Sequence, residues 1–350
     1  MIVDVHTHVW ESAHISDAFV QDARITANNP SLEIAVDLDA HWAAMAPVDK
    51  AIVLGFRASH VGVLVPNEYV AGYVAQHPEK LIGFCSVDPL DEDAVEQFEH
   101  AVRTLGLRGL KVAPIYQNVH PQDQRFVRLM QAALDLDVPV LIHQGTTFCE
   151  NVSLELANPI LLQPLALRFP GLRMVIAHMG HPWVAETMVL IRKHRHLYSD
   201  ISALYYRPWQ FYNALVLAME YGVLDRLLFG TDYPFTTPAS TIEALRRVDA
   251  MVEGTNLPRI PIDKIEAMIH RDALPLLGLT YPVAYGLQPT ACSLPGTRYP
   301  VPDTRSLRDP ILPDRGLVHL DAEAGRGGDG DVAVDDPQRL AHHRAAQRAL

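Results

Sequence analysis

Five residues could act together on one metal ion. His6 and His8 are separated by one residue in Ile2-Val-Asp-Val-His6-Thr-His8. Side chains at i and i+2 of a strand share a side, so the two imidazoles can reach one divalent cation. His143 directly follows the apolar run 138–142, His178 follows 174–177, and Asp232 closes Leu227-Leu-Phe-Gly-Thr-Asp232. Imidazole and carboxylate are the ligand types of zinc and related ions. A cation held this way lowers the pKa of a bound water to around 7, and Asp232 or His178 could then handle its proton. Taken singly, a histidine after a strand is more often a turn residue satisfied locally. Five such groups at strand ends form a specific pattern.

Those side chains need a scaffold that brings distant strand ends together. Eight short apolar runs begin at Ile2, Ala51, Leu81, Leu107, Val138, Met174, Leu197 and Leu227. Amphipathic segments such as Asn67 to His77, Arg125 to Leu136 and Asp263 to Leu277 alternate with them. The mean spacing of roughly 33 residues matches one βαβ unit, so the expected fold is an α/β (β/α)₈ TIM barrel. Its active site then lies at the C-terminal strand ends, where the five residues fall. A doubly wound open sheet is the alternative, but no strand is followed by a GxGxxG or GxxxxGK[ST] phosphate loop. The expected division is a barrel over 1–280 and a disordered, Pro/Gly/Asp/Arg-rich low-complexity tail over 281–350.

Composition narrows the partners. The 350 residues carry 29 Lys and Arg against 41 Asp and Glu, a formal charge of −12, with no basic stripe. Nucleic acid and membrane are therefore not expected partners; a small-molecule substrate is. No apolar run spans a bilayer, and the opening residues lack the features of a secretory leader, which makes the cytoplasm the expected location. The three cysteines, Cys85, Cys149 and Cys292, form no CxxC pair, and Cys149 has no evident base to make it a nucleophile.

The segments Asp4-Val-His6-Thr-His8, Ile142-His143, Ala177-His178-Met-Gly and Phe229-Gly-Thr-Asp232-Tyr-Pro resemble the amidohydrolase superfamily. The nearer likeness is its amidohydrolase-2 branch, which includes aminocarboxymuconate-semialdehyde decarboxylase and related hydrolases. Asn67-Glu68, His77-Pro78 and Ser86-Val-Asp-Pro89 are similar to that branch too. Over about residues 1–280 the resemblance implies a barrel with one divalent metal, commonly zinc. It implies His6, His8, His143 and Asp232 as ligands, with Asp232 also catalytic and His178 as ligand or acid/base. The branch holds both metal-dependent hydrolases and non-oxidative decarboxylases of unsaturated or aromatic acids. Hydrolysis of a small, carboxylated substrate is the leading expectation and decarboxylation the alternative. A barrel that kept a metal only for stability is the rival outside catalysis.

Other rim residues have two readings each. In binuclear relatives a lysine at the position of Lys111 is carboxylated and bridges two metals; the branch resemblance favours a single ion, with Lys111 an interior polar group or a substrate contact. Arg57 could clamp a carboxylate or be a solvated loop cation, and Arg207 has the same ambiguity. His181 falls at an expected helix start with Pro182 in the first turn. Trp10, Tyr116, Trp183, Tyr205 and Tyr233 could wall a planar substrate or simply pack. Asp200 is expected as a structural carboxylate. The resemblance and the prevalence of twofold assemblies also imply a homodimer.

Overall fold

The computed structural model describes residues 1–27 and 29–279; the expected tail 281–350 lies outside them, as does Cys292. The strands are β1 (Val3–His8), β2 (Lys50–Leu54), β3 (Arg57–Ala58), β4 (Val63–Leu64), β5 (Leu81–Ser86), β6 (Leu110–Val112), β7 (Val140–Ile142), β8 (Met174–Ile176), β9 (Leu197–Asp200) and β10 (Leu227–Leu228). All but the β3–β4 hairpin join one eight-stranded sheet in the order β1-β2-β5-β6-β7-β8-β9-β10. Every pairing in it is parallel. The ring closes where Val5 N–H donates to Phe229 O (3.0 Å), Asp232 N–H to His6 O (2.7 Å) and His8 N–H to Tyr233 O (2.8 Å). All eight expected strands are present, and the fold is a (β/α)₈ barrel.

Strand faces divide the core into two layers. Val3, Val5, Ile52, Leu54, Ile82, Phe84, Leu141, Val175, Tyr198 and Leu228 fill the interior, joined by Ala273, Leu274, Leu277 and Leu279. The alternate residues, among them Ala51, Val53, Cys85, Val112, Val140, Ile142 and Ile176, face the helices. The helix Gln124–Asp135 shows how the outer layer forms. Asp123 caps it by accepting from Arg125 N, and Phe126, Leu129, Met130 and Ala133 are buried along one face. Each fully buried side chain of that size stabilises the fold by about 1.5–3 kcal/mol.

Several elements end earlier than the apolar pattern suggests. The helix expected to reach Leu277 runs over Ile262–Ile269. Pro275 cannot sit inside a continuous helix, so none runs unbroken to Leu277, and 273–279 instead packs into the interior layer. The helix Asn67–Val74 likewise stops short of His77-Pro78. Strand β6 runs over Leu110–Val112, later than the apolar run from Leu107, whose N–H is donated to Ala101 O on the preceding helix. Among the described residues no helix is long and apolar enough to cross a membrane.

Candidate active site

The ligand-capable atoms of His6, His178 and Asp232 lie within 4.8 Å of one another at the C-terminal strand ends. His8 joins them: its Nε2 is 3.2 Å from His6 Nε2 and 3.4 Å from Asp232 Oδ1. His6 Nε2 is 3.2 Å from the same carboxylate oxygen. Lys111, fully inside the barrel on β6, brings Nζ to 3.1 Å from His6 Nε2. His143 turns Nε2 onto Thr146 O at 2.9 Å, and its ring meets those of Tyr116 and His178 edge-on at 4.7 and 5.0 Å. It borders the group through His178, on the side of the ring opposite β1, and Nδ1 is the nitrogen not used by Thr146.

Asp200 ties the group together. Its Oδ2 accepts from His6 Nδ1 at 2.9 Å, and Oδ1 accepts from His178 N at 2.9 Å and Ser202 N at 3.1 Å. The Ser202 hydroxyl donates to Asp200 Oδ1 and accepts from His178 Nδ1 at 2.7 Å. This orients both imidazoles and points each Nε2 into the site. The structural carboxylate expected at Asp200 is thus the partner of two site histidines. Gly230 permits the approach of these groups, since a Cβ there would lie 3.2 Å from His6 Cβ and 3.4 Å from Asp200 Cβ.

The electrostatics favour positive charge between His6, His8 and Asp232. Burial and Lys111 pull the His6 imidazole down, but Asp200 and Asp232 outweigh them and hold it above its ordinary value. Asp232 stays well below the usual carboxylate range: burial raises it, while His178 and His6 pull it down more strongly. Burial lowers His8 to about 3 and His178 to about 4, so both rings are neutral. Lys111 is brought down to about 8 by burial, against the pull of Asp232 and Asp200. His8 Nδ1 is buried and has no hydrogen-bond partner among the described residues. A divalent cation held by these groups would supply more positive charge to the set than a proton on His6 could, and would displace that proton. A nitrogen and oxygen donor set of this composition fits such an ion.

The remaining expected contacts fall in different places. Trp10 stacks on His8 with centroids 4.6 Å apart and donates its indole N–H to Ile34 O, which makes it the wall behind that ligand candidate. Tyr116 is buried against Phe56 and His143. Arg57 pairs with Asp91 Oδ2 at 3.0 Å and lines a cleft of about 380 Å³ with Asn67, Glu68 and Gln97, to which none of the gathered residues contributes. His181 accepts from Thr146 N through its carbonyl at 2.8 Å. The helix after it begins at Val184, so Pro182, joined to His181 by a cis peptide, lies before the first turn and not within it. Cys149 is pushed up to about 11 by burial and remains a thiol at neutral pH.

Three participants were not singled out from the sequence: Asp4, Ser202 and Thr231. Asp4 is fully buried and accepts from His6 N (3.1 Å), Thr231 N (3.0 Å) and Thr231 Oγ1 (2.7 Å). The available signal was a carboxylate two residues before His6 on an otherwise apolar strand. His178 and Asp232 have positive φ, 55° and 62°, a conformation that a tightly determined site imposes on non-glycine residues.

The barrel is shared with solved structures. An uncharacterised TIM-barrel protein from Bordetella bronchiseptica superposes with a TM-score of 0.62 at 22% identity, covering 79% of this chain and 98% of that one. The 5-carboxyvanillate decarboxylase of Novosphingobium aromaticivorans, complexed with manganese and a nitrobenzoic acid, gives 0.58 at 17% identity over 80% and 96%. A probable 2-pyrone-4,6-dicarboxylic acid hydrolase from Acinetobacter baumannii gives 0.55 at 14% identity over 79% and 99%. At these identities the likeness concerns the fold. No curated protein matches the chain. The amidohydrolase family model Amidohydro_2 matches residues 3–257, and the chain belongs to that enzyme family.

Proposed function

We propose that this protein is a metal-dependent hydrolase of a small, carboxylated substrate. The observation that carries the proposal is the convergence of His6, His8, His178 and Asp232 on one point at the barrel mouth. His6, His8 and Asp232 would hold one divalent ion, with His143 completing the set from across the mouth. Zinc suits the donors, and the manganese of the similarly folded decarboxylase makes that ion the second candidate. When bound, the ion supplies Lewis acidity and brings a water's pKa near neutrality.

The chain's own groups manage the protons. The ionised Asp232 carboxylate accepts a proton from the attacking water. His178 donates Nδ1–H to Ser202, which leaves Nε2 as a lone pair that can take this proton in transit and deliver it to the leaving group. Lys111, next to His6, adds positive charge beside the developing anion. For the substrate's carboxylate, Arg207 is the candidate anchor. It stacks on Tyr206 at 4.5 Å, adds its charge to the burial that lowers the neighbouring His181, and has no acidic partner among the described residues. That anchor suits a carboxylic acid equally well, so non-oxidative decarboxylation is the second reading.

The test is elemental analysis of protein purified without added metal, followed by turnover on a panel of lactones, amides and unsaturated or aromatic acids. About one ion per chain with hydrolysis of a carboxylated lactone or amide is expected. Carbon dioxide release without hydrolysis would replace the reaction, and two ions per chain would recast Lys111 as a carboxylated bridge. A metal-loaded protein inert on the whole panel would favour a purely structural ion.

A further inference from the structure

Neighbouring parallel strands advance together unless one carries an extra residue. Asp4 pairs with Ala51 and Thr7 with Val53, so three steps along β1 match two along β2. The extra residue is a β-bulge, which reverses the alternation of side chains beyond it. Val3 and Val5 point into the barrel, and beyond the bulge His6 and His8 do so as well. Thr7 instead places its hydroxyl between Ile52 O and His41 Nε2. Without the bulge, strict alternation from Val5 would turn both histidines away from the mouth.

A bulge leaves a backbone N–H outside the ladder, and a buried one must find another acceptor. Here it is His6 N–H, and its acceptor is Asp4 Oδ1 at 3.1 Å. The same oxygen takes Thr231 N–H at 3.0 Å, and Oδ2 takes the Thr231 hydroxyl at 2.7 Å. Thr231 immediately precedes Asp232, whose own N–H returns to His6 O at 2.7 Å. A closed circuit therefore joins the bulge on β1 to the turn after β10. His6 and Asp232, two of the residues that would hold the ion, are borne by that circuit.

We propose that Asp4 is the positioning residue of the metal centre: its carboxylate clamps the β1 bulge to the Thr231 turn and so sets His6 against Asp232. The proposal rests on the metal site proposed above, and Asp4 acts through the ligands' backbone without touching the ion.

The experiment is zinc titration of the chelator-stripped full-length chain, with thermal unfolding of the metal-free protein, for wild type, Asp4→Ala, Asp4→Asn and Thr231→Val. Asp4→Ala removes acceptors from two buried N–H groups and is expected to weaken zinc binding about 10–100-fold. Asp4→Asn keeps Oδ1 for both N–H groups, and its amide can donate to the Thr231 oxygen; it should stay within about threefold of wild type. Thr231→Val keeps its N–H bond but loses the hydroxyl that joins Asp4 Oδ2 to Tyr233 N–H, so a zinc-affinity loss of about three- to tenfold is expected with a modest fall in the metal-free melting temperature. If Asp4→Ala fails to fold, the other two variants carry the test. Thr231→Val binding zinc as tightly as wild type, or Asp4→Asn binding as poorly as Asp4→Ala, overturns the clamp and leaves the metal site standing. A wild-type protein that takes up neither zinc nor manganese overturns the metal site and the clamp with it.

Discussion

On the β1–β10 seam, His6 is held by Asp200, 194 residues away in sequence, and the Asp4 clamp reaches Thr231 across 227 residues. Across the mouth on β7, His143 is held by Thr146 O, three residues further along its own loop. The first arrangement exists only when the barrel has closed, and each group in it has little freedom to move alone. The second is local and can adjust with its loop. The difference predicts that the seam, more than the β7 side, sets the geometry of the site.

The largest effects should come from breaking the seam. Asp232→Asn is expected to lower kcat by about 10²–10⁴ while metal is retained; an active, metal-replete variant in a steady-state assay would remove Asp232 from proton transfer. Next comes Gly230→Ala, which drives a methyl between His6 and Asp200. Overpacking there should cost about 1–3 kcal/mol in urea unfolding and weaken metal binding; a variant equal to wild type in both would show that the seam yields more easily than its packing implies. His143→Asn should reduce zinc affinity less than His6→Asn does, by under about tenfold. Equal losses in parallel titrations would make the two sides of the mouth equivalent.

The smallest expected effect concerns stability and pH. His41, behind the seam, is buried, with Nδ1 2.8 Å from the Tyr73 hydroxyl and Nε2 2.9 Å from Thr7 Oγ1. Burial lowers it to about 3 from an ordinary 6.5, with His8 and Lys80 adding to the shift. The unfolded chain thus takes up this proton first as pH falls. The stabilisation is complete above pH 6.5 and is lost as pH drops toward 3. His41→Gln keeps a donor toward Thr7 but does not titrate. Between pH 7 and 5 it should lose about 1–2 kcal/mol less than wild type in urea unfolding. Parallel losses would assign the acid sensitivity elsewhere.

The same contrast explains what could be read from the sequence. His6, His8, His178 and Asp232 were legible because metal-binding residue types at strand ends are a local pattern, and the barrel supplies the rest. Asp4 lay in plain view in Asp4-Val-His6, yet its role depends on a bulge, and a bulge is a statement about two strands. Ser202 and Thr231 have ordinary residue types, and only barrel closure gives them partners. Arg57 resembled a substrate clamp because of its place after β2, but Asp91, 34 residues on, occupies its guanidinium. Helix ends are less legible than helix faces, because the apolar pattern runs on through His77-Pro78 and Pro275, where a continuous helix cannot.

The left-handed backbone at His178 and Asp232 has a consequence for how variants of this enzyme are interpreted. Alanine is disfavoured in that conformation by about 1–2 kcal/mol, whereas asparagine, aspartate and histidine enter it more readily. An alanine scan would therefore merge a folding defect with a chemical one at both positions, and it would exaggerate their part in turnover. Asparagine separates the two. Over evolutionary time the same constraint shrinks the set of residues through which either position can drift, so a descendant that changes its chemistry here has few steps open to it.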